Sequence, residues 1–201
     1  AVVDQGDEVI IPTPYWVTYS EIVKLAGGIP VLVKTKFENG FKITASELED
    51  AISPRTKLFM FSSPCNPTGA IYSWNELTAL AAVFDKHPGI FIISDEIYEH
   101  INFTGEHASI AKFESLKPRT IVINGLSKGF AMTGWRLGYI AAPVEIAKAC
   151  DKIQGQFTSG PNSIAQRAAI TALLGDLKPT HDMVLKFKER RDKVVQLLKE
   201  I

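Results

Sequence analysis

Cysteine is nearly absent from this chain: Cys65 and Cys150 are its two thiols in 201 residues. That is too few for the disulfide framework of a small secreted domain. Net charge is absent too, since 22 Lys and Arg balance 22 Asp and Glu. A neutral balance gives no electrostatic footprint for nucleic acid or an anionic membrane. No apolar run approaches the length that spans a bilayer, and no signal peptide opens the chain. These absences leave a cytoplasmic protein with small-molecule partners as the expectation. Repeats and low-complexity tracts are also missing. The four histidines, His87, His100, His107 and His181, are scattered and show no metal-ligand spacing with the cysteines, so no metal site is expected. Walker A and G-x-G-x-x-G fingerprints, which cradle nucleotide phosphates, do not occur.

What is present is ordinary globular material, 46% hydrophobic and long enough for a sizeable core. Short apolar, β-branched runs at 8–11, 30–35, 57–62, 90–94, 120–124 and 138–142 read as strands. Several are apolar without interruption, which suits a sheet covered on both faces. Between and after them, helical spacing occurs over 15–26, 44–52, 74–86, 144–153, 163–174 and from about 180 onward. Thr44 with Glu47 spells a capping box, and Ser73 is a candidate N-cap. Strands alternating with helices predict a three-layer α/β/α sandwich on a mostly parallel sheet. The opening Ala1–Gly6 reads as the end of a helix with a glycine cap, and the final helical pattern meets no stop signal. Both ends therefore look cut, as in part of a longer protein.

The most informative stretch is Asn124 to Gly138, NGLSKGFAMTGWRLG. Lys128 follows the apolar run Ile121-Val122-Ile123, and Arg136 comes eight residues later. A lysine just past a buried strand lies in a partly dry place, where its ammonium is penalised and its amine is freed to attack a carbonyl. An arginine nearby offers a planar fork to a phosphate. Lysine with a phosphate site is what an enzyme holding pyridoxal 5′-phosphate (PLP) as a Schiff base requires. Alone, Lys128 would read as one more solvated loop lysine. The case rests on its company, because ligands gather at the carboxyl ends of parallel strands. Asn66 follows one strand there, Asp95 ends another, and Lys128 follows a third.

Asp95 closes Ile92-Ile93-Ser94. A lone aspartate there reads first as a cap or half of a salt bridge. The functional alternative gives it the protonated pyridine nitrogen of PLP, which keeps the ring an electron sink. Tyr98, three residues on, has a hydroxyl for the ring oxygen, although most tyrosines are core residues. Asn66-Pro67-Thr68-Gly69 is a turn by composition, and its amide could serve the same oxygen. Trp16 could stack on the ring or simply fill core.

With these residues in view, the chain resembles the class I/II aminotransferases of PLP fold type I, most of all the aspartate aminotransferase branch common in bacteria. The resemblance is carried by PTPYWVTY, SSPCNPTGAIYS, ISDEIYEHI, NGLSKGFAMTGWRLGY and SGPNSIAQ, in family order over nearly the whole chain. It implies that Lys128 carries the cofactor and shuttles a proton as general acid/base. Asp95 would pair with the pyridine nitrogen, Tyr98 and Asn66 with the ring oxygen, Arg136 with the phosphate, and Trp16 with the ring face. It implies cis bonds at Thr13-Pro14 and Asn66-Pro67, and a homodimer. Relatives often carry a serine or threonine donating to the phosphate where this chain has Gly125; either Ser127 or a water is expected to take that place. The activity implied is ping-pong transamination between an amino acid, aspartate first, and 2-oxoglutarate. Residues 1–178 would be the central part of the PLP-binding large domain, and 179–201 the start of a helix leading to a small domain. The family's glycine-rich phosphate loop would lie upstream, and its α-carboxylate arginine after residue 201. A PLP-dependent carbon–sulfur β-lyase, a PLP-sensing domain of a transcription regulator, and an inert fragment are the alternatives.

Overall fold

A computed structural model describes all residues, 1–201. Its centre is a six-stranded sheet of β1 (Glu8–Thr13), β2 (Ile29–Lys34), β3 (Thr56–Ser62), β4 (Phe91–Asp95), β5 (Thr120–Gly125) and β6 (Gly138–Ala141). The strand order is β2-β1-β3-β4-β5-β6. The first five are parallel, and β6 runs antiparallel to β5. Around them lie α1 (Thr18–Leu25), α2 (Ala45–Ala51), α3 (Trp74–Lys86), α4 (Val144–Phe157), α5 (Ser163–Leu174) and α6 (Lys178–Leu198).

The uninterrupted apolar strands are explained by two separate cores. Side chains alternate along each strand, so a strand covered on both faces must be apolar at every position. Ile10, Phe59, Phe61 and Ile92 point to one side, where they meet Leu48 of α2 and Leu77, Leu80 and Phe84 of α3. Val9, Ile11, Leu58 and Met60 point to the other, against Tyr19 and Val23 of α1. These are the three layers expected. Phe59 and Phe84 are fully buried with ring centroids 5.4 Å apart. Burying each such side chain contributes roughly 1.5–3 kcal/mol.

Local chemistry sets the helix ends. Thr44 and Ser73 each accept from the backbone N–H three residues on, while Glu47 and Glu76 reach back to the cap residue. Two capping boxes result, one foreseen with its glutamate and one foreseen only as a cap. At the other end of α3, the buried Arg119 donates to the carbonyls of Phe84 (2.8 Å), His87 (2.8 Å) and Ile90 (3.1 Å). A side chain just before β5 thus adds a charged donor to carbonyls at and just past the end of α3. Burial pulls the Arg119 pKa down from its usual value, opposed by the nearby Asp85.

Several expectations need correction. Residues 1–4 form no helix; Gly6 does take a left-handed φ of 86°, but its N–H donates to the Gly27 carbonyl across a loop crossing. The helix expected from Tyr15 begins only at Thr18, after Val17 as its N-cap, and Tyr15 and Trp16 stay outside it behind the cis Pro14. β6, expected to be covered, is exposed at all four positions, since no helix of this chain packs on it. The peptide bonds Thr13-Pro14 and Asn66-Pro67 are cis as expected, and Ser63-Pro64 is cis as well. No helix is long and apolar enough to cross a membrane.

Arg119→Met should destabilise the chain by about 2 kcal/mol or more, because it removes three hydrogen bonds made by one buried charged donor. Thr44→Ala should cost about 1 kcal/mol, the usual worth of a cap. Urea unfolding of both variants measures the difference, and an Arg119 variant no worse than the cap variant would refute this ranking.

Candidate active site

The carboxyl ends of β1, β3, β4 and β5 open into one cavity of about 510 Å³. Every residue singled out from the sequence lines it: Trp16, Asn66, Asp95, Tyr98, Ser127, Lys128 and Arg136. They come from four separate segments, and the parallel sheet brings them together. Each follows or ends a strand, and neighbouring parallel strands finish at the same edge.

Asp95 is the most constrained of these groups. It is 7% exposed. One carboxylate oxygen accepts from the Tyr19 hydroxyl at 2.6 Å and the other from the Ile97 N–H at 3.1 Å. Both donors are neutral. Burial raises the carboxyl's pKa above its ordinary range, and these two hydrogen bonds only partly offset that. The Tyr19 hydroxyl is pushed up in turn, by burial first and then by the charge of Asp95. An anion held without a cation beside it is suited to receive a ligand's protonated nitrogen. A second open group lies on the same wall: the Ser62 hydroxyl is buried and has no hydrogen-bond partner.

Lys128 is half-buried, with Nζ 5.7 Å from the centroid of the Tyr98 ring. Its loop is knitted shut. The Leu126 N–H donates to Leu137, the Met132 N–H to Leu126, and the Thr133 hydroxyl to the Ser127 carbonyl at 2.7 Å. A single turn of 3₁₀ helix, Thr133–Trp135, delivers Arg136 in the left-handed region at φ 53°. Such a backbone is uncommon for a residue with a side chain. The guanidinium is exposed and donates to the Thr133 carbonyl at 2.9 Å. Trp16 is 46% exposed at the cavity wall, edge-on to Tyr19 with ring centroids 5.8 Å apart. Asn66 sits in a turn closed by Cys65–Ala70 and Gly69–Cys65 backbone bonds, with Gly69 at φ 71°.

Gly125 has a steric reason. It pairs with Gly138 of β6, and a Cβ at 125 would lie 2.9 Å from the Gly138 Cα. A side-chain donor at that position is therefore excluded in this arrangement, and Ser127 lines the cavity in its place.

Sequence reading passed over four features. Tyr19 was seen only as part of a helical run; its bond to Asp95 joins residues 76 apart and has no local signature. Thr133 and Asn124 also line the cavity. The expectation that the chain holds no G-x-S-x-G nucleophile elbow needs correction, since residues 125–129 spell that pattern, but no histidine lines the cavity beside Ser127. Finally, folding brings Glu96, Glu99 and His107 within 4.8 Å of one another. Glu96 there accepts from Ser94 (2.9 Å) and Ser109 (2.7 Å) and pairs with His107 (2.8 Å), so its carboxylate is already satisfied within the chain.

The raised pKa of Asp95 has a stability consequence. The folded chain holds this proton more tightly than the unfolded chain, so stability falls as pH rises from the ordinary carboxylate range through the raised value. Asp95→Asn removes that cost. The asparagine oxygen can still accept from Ile97 while its NH₂ donates to Tyr19. The ligand-free variant should therefore melt above the parent at about pH 7, and match it near pH 3, below the ordinary Asp pKa of about 3.9. A lower melting point at neutral pH would contradict the uncompensated-charge account.

Comparison with known proteins gives a consistent picture. A family model described as aminotransferase class I and II matches residues 1–201. The chain is 52% identical over 200 residues to an aspartate aminotransferase of Geobacillus stearothermophilus, covering 96% of this chain and 51% of that protein. It is 49% identical over 203 residues to an aspartate/prephenate aminotransferase of Nitrosomonas europaea, covering 100% and 51%. The crystal structure of the aspartate aminotransferase from Rhizobium meliloti superposes with a TM-score of 0.96 at 45% identity, over 99% of this chain and 50% of that one. The chain spans about half the length of the curated relatives it matches.

Proposed function

The chain belongs to the class I and II aminotransferase family, and from that premise we propose that the complete protein transfers an amino group from an amino acid to a 2-oxo acid with pyridoxal 5′-phosphate as cofactor. Aspartate is the amino acid favoured, by the names of the relatives, and 2-oxoglutarate the acceptor, by the family resemblance. The observation that carries the reading is the meeting of Lys128, Asp95 and Arg136 in one cavity, with the Asp95 carboxylate buried and facing only neutral donors.

The residues fit PLP chemically. The Lys128 amine is the nucleophile for the cofactor's carbonyl, and Asp95 is the anion for its ring nitrogen. Tyr98 and Asn66 offer donors for the ring oxygen, Trp16 an aromatic face, and Arg136 with Ser127 donors for the phosphate. When bound, the cofactor supplies an electron-withdrawing ring that acidifies the substrate's Cα–H. The protein's share is to place and move protons. Lys128 Nζ takes the Cα proton as general base and returns a proton as general acid. Asp95, whose charge burial makes unfavourable on its own, would be answered by a protonated ring nitrogen and would favour that proton in return, and Tyr19 holds the carboxylate in place. The cis turn at Asn66 and the closed loop at 126–137 keep their donors still while this happens, which is how pre-organised polar groups lower a barrier.

In the complete protein, residues 1–178 serve as the central part of the large domain, and α6 leads from it toward a smaller C-terminal one. On the family resemblance alone, the complete protein is read as a cytoplasmic homodimer.

Incubation of the complete protein with PLP, borohydride reduction and peptide mapping should place a pyridoxyl label on Lys128, and excess amino acid added first should prevent it. Lys128→Ala should lose the label and reduce transamination by at least about 10²-fold, the lower end of what a positioned acid–base group contributes. Label on another lysine, or near-normal turnover in that variant, would refute the assignment.

A further inference from the structure

Helix α6 has 21 residues and buries one of them, Thr180, which is 5% exposed. Thr180 is the third residue of the helix, in its first turn. Its hydroxyl donates to the carbonyl of Gly129 at 2.9 Å, across 51 residues of chain. Gly129 is the residue directly after Lys128 and is itself buried.

The other side of the same residue is gripped as well. A Cβ at position 129 would lie 2.7 Å from Cδ2 and 3.1 Å from Cβ of His100, so the imidazole rests directly on the glycine backbone. His100 is held in turn, edge-on against Phe130 with ring centroids 5.3 Å apart and with Nε2 3.5 Å from Glu99. Glu99 accepts from Asn124, which lines the cavity, at 2.8 Å. The Lys128 carbonyl accepts from the Ala131 N–H at 3.1 Å, in a turn that puts Ala131 at φ 53°. Lys128 is thus fixed by its backbone on the C-terminal side, between a wedge from the β4 side and a hydroxyl from α6.

We propose that Thr180 is a positioning residue for Lys128: by holding the Gly129 carbonyl it fixes the Gly129–Phe130 peptide, one peptide beyond the lysine, and with His100 packed on Gly129 it limits how the backbone carrying Lys128 can turn and ties the start of α6 to the lysine's loop. This rests on the reading of Lys128 as the cofactor-bearing lysine. The hydroxyl touches neither substrate nor cofactor and acts only through the backbone. Thr180 is the one buried residue of α6, and its hydroxyl joins the start of this helix to the loop that carries Lys128.

The test uses the complete protein with Thr180→Val, which keeps the shape and removes the donor, and Thr180→Ser, which keeps the donor. Two quantities are read: amide hydrogen exchange of the peptide covering 126–132 without cofactor, and the PLP concentration that gives half-maximal borohydride-trapped label on Lys128. The valine variant should exchange faster in 126–132 while β1, β3 and β4 keep their protection. It should need about five-fold more PLP, the scale of one hydrogen bond. The serine variant should restore both. Labelling by the valine variant at parental PLP, faster exchange spread evenly over the sheet, or no rescue by serine would each overturn the positioning role. A parent protein that takes no label on Lys128 would instead sink the cofactor reading, and the role with it, even if the exchange pattern is as expected.

Discussion

The cavity is organised around a carboxylate that the fold buries and leaves beside neutral donors. Asp95 ends β4 in the interior, where a charge is unfavourable unless something answers it. Tyr19 and the Ile97 N–H answer it in part. The remaining requirement, a positive partner for the carboxylate, falls to a ligand. Stability is given up locally so that the site is already polarised before anything binds, a common bargain at functional sites.

The rest of the fold makes that arrangement tolerable. Two apolar layers enclose the sheet, so its strand interiors carry almost no polar side chains, and chemistry is confined to the strand ends. Immediately behind Asp95 the polar content changes character. Glu96 is also buried, yet it is satisfied by Ser94, Ser109 and His107. Adjacent residues on one strand end thus face opposite ways, one into a closed network and one into the cavity. The alternation of side chains in extended backbone accounts for the difference.

Much of the site was legible because its residues sit in short motifs with unusual local chemistry. A strand followed by Ser-Lys, a strand ending in Asp, and a proline-bracketed Asn each stand out in sequence, and a parallel sheet collects strand ends by geometry. Tyr19 and Thr180 left no such trace. Each looks like an ordinary helix residue, and each matters through a bond to a partner 76 or 51 positions away. The same holds for Arg119, which reads as a surface basic residue and is instead the buried cap of α3. Gly125 looked like a missing phosphate donor and proved to be the price of close approach between β5 and β6.

Sequence alone determined the alternation of strands and helices, the capping boxes at Thr44 and Ser73, and which residue types would stand at the strand ends. Those features follow from hydrophobic period, side-chain-to-backbone bonds within three residues, and turn chemistry, all of which are local. Tertiary structure alone decided that β6 turns antiparallel, that Tyr19 holds Asp95, that Arg119 caps the end of α3, and that Thr180 reaches the backbone beside Lys128. These depend on which surfaces meet after the chain has crossed the sheet several times, and no short window of residues encodes such a meeting.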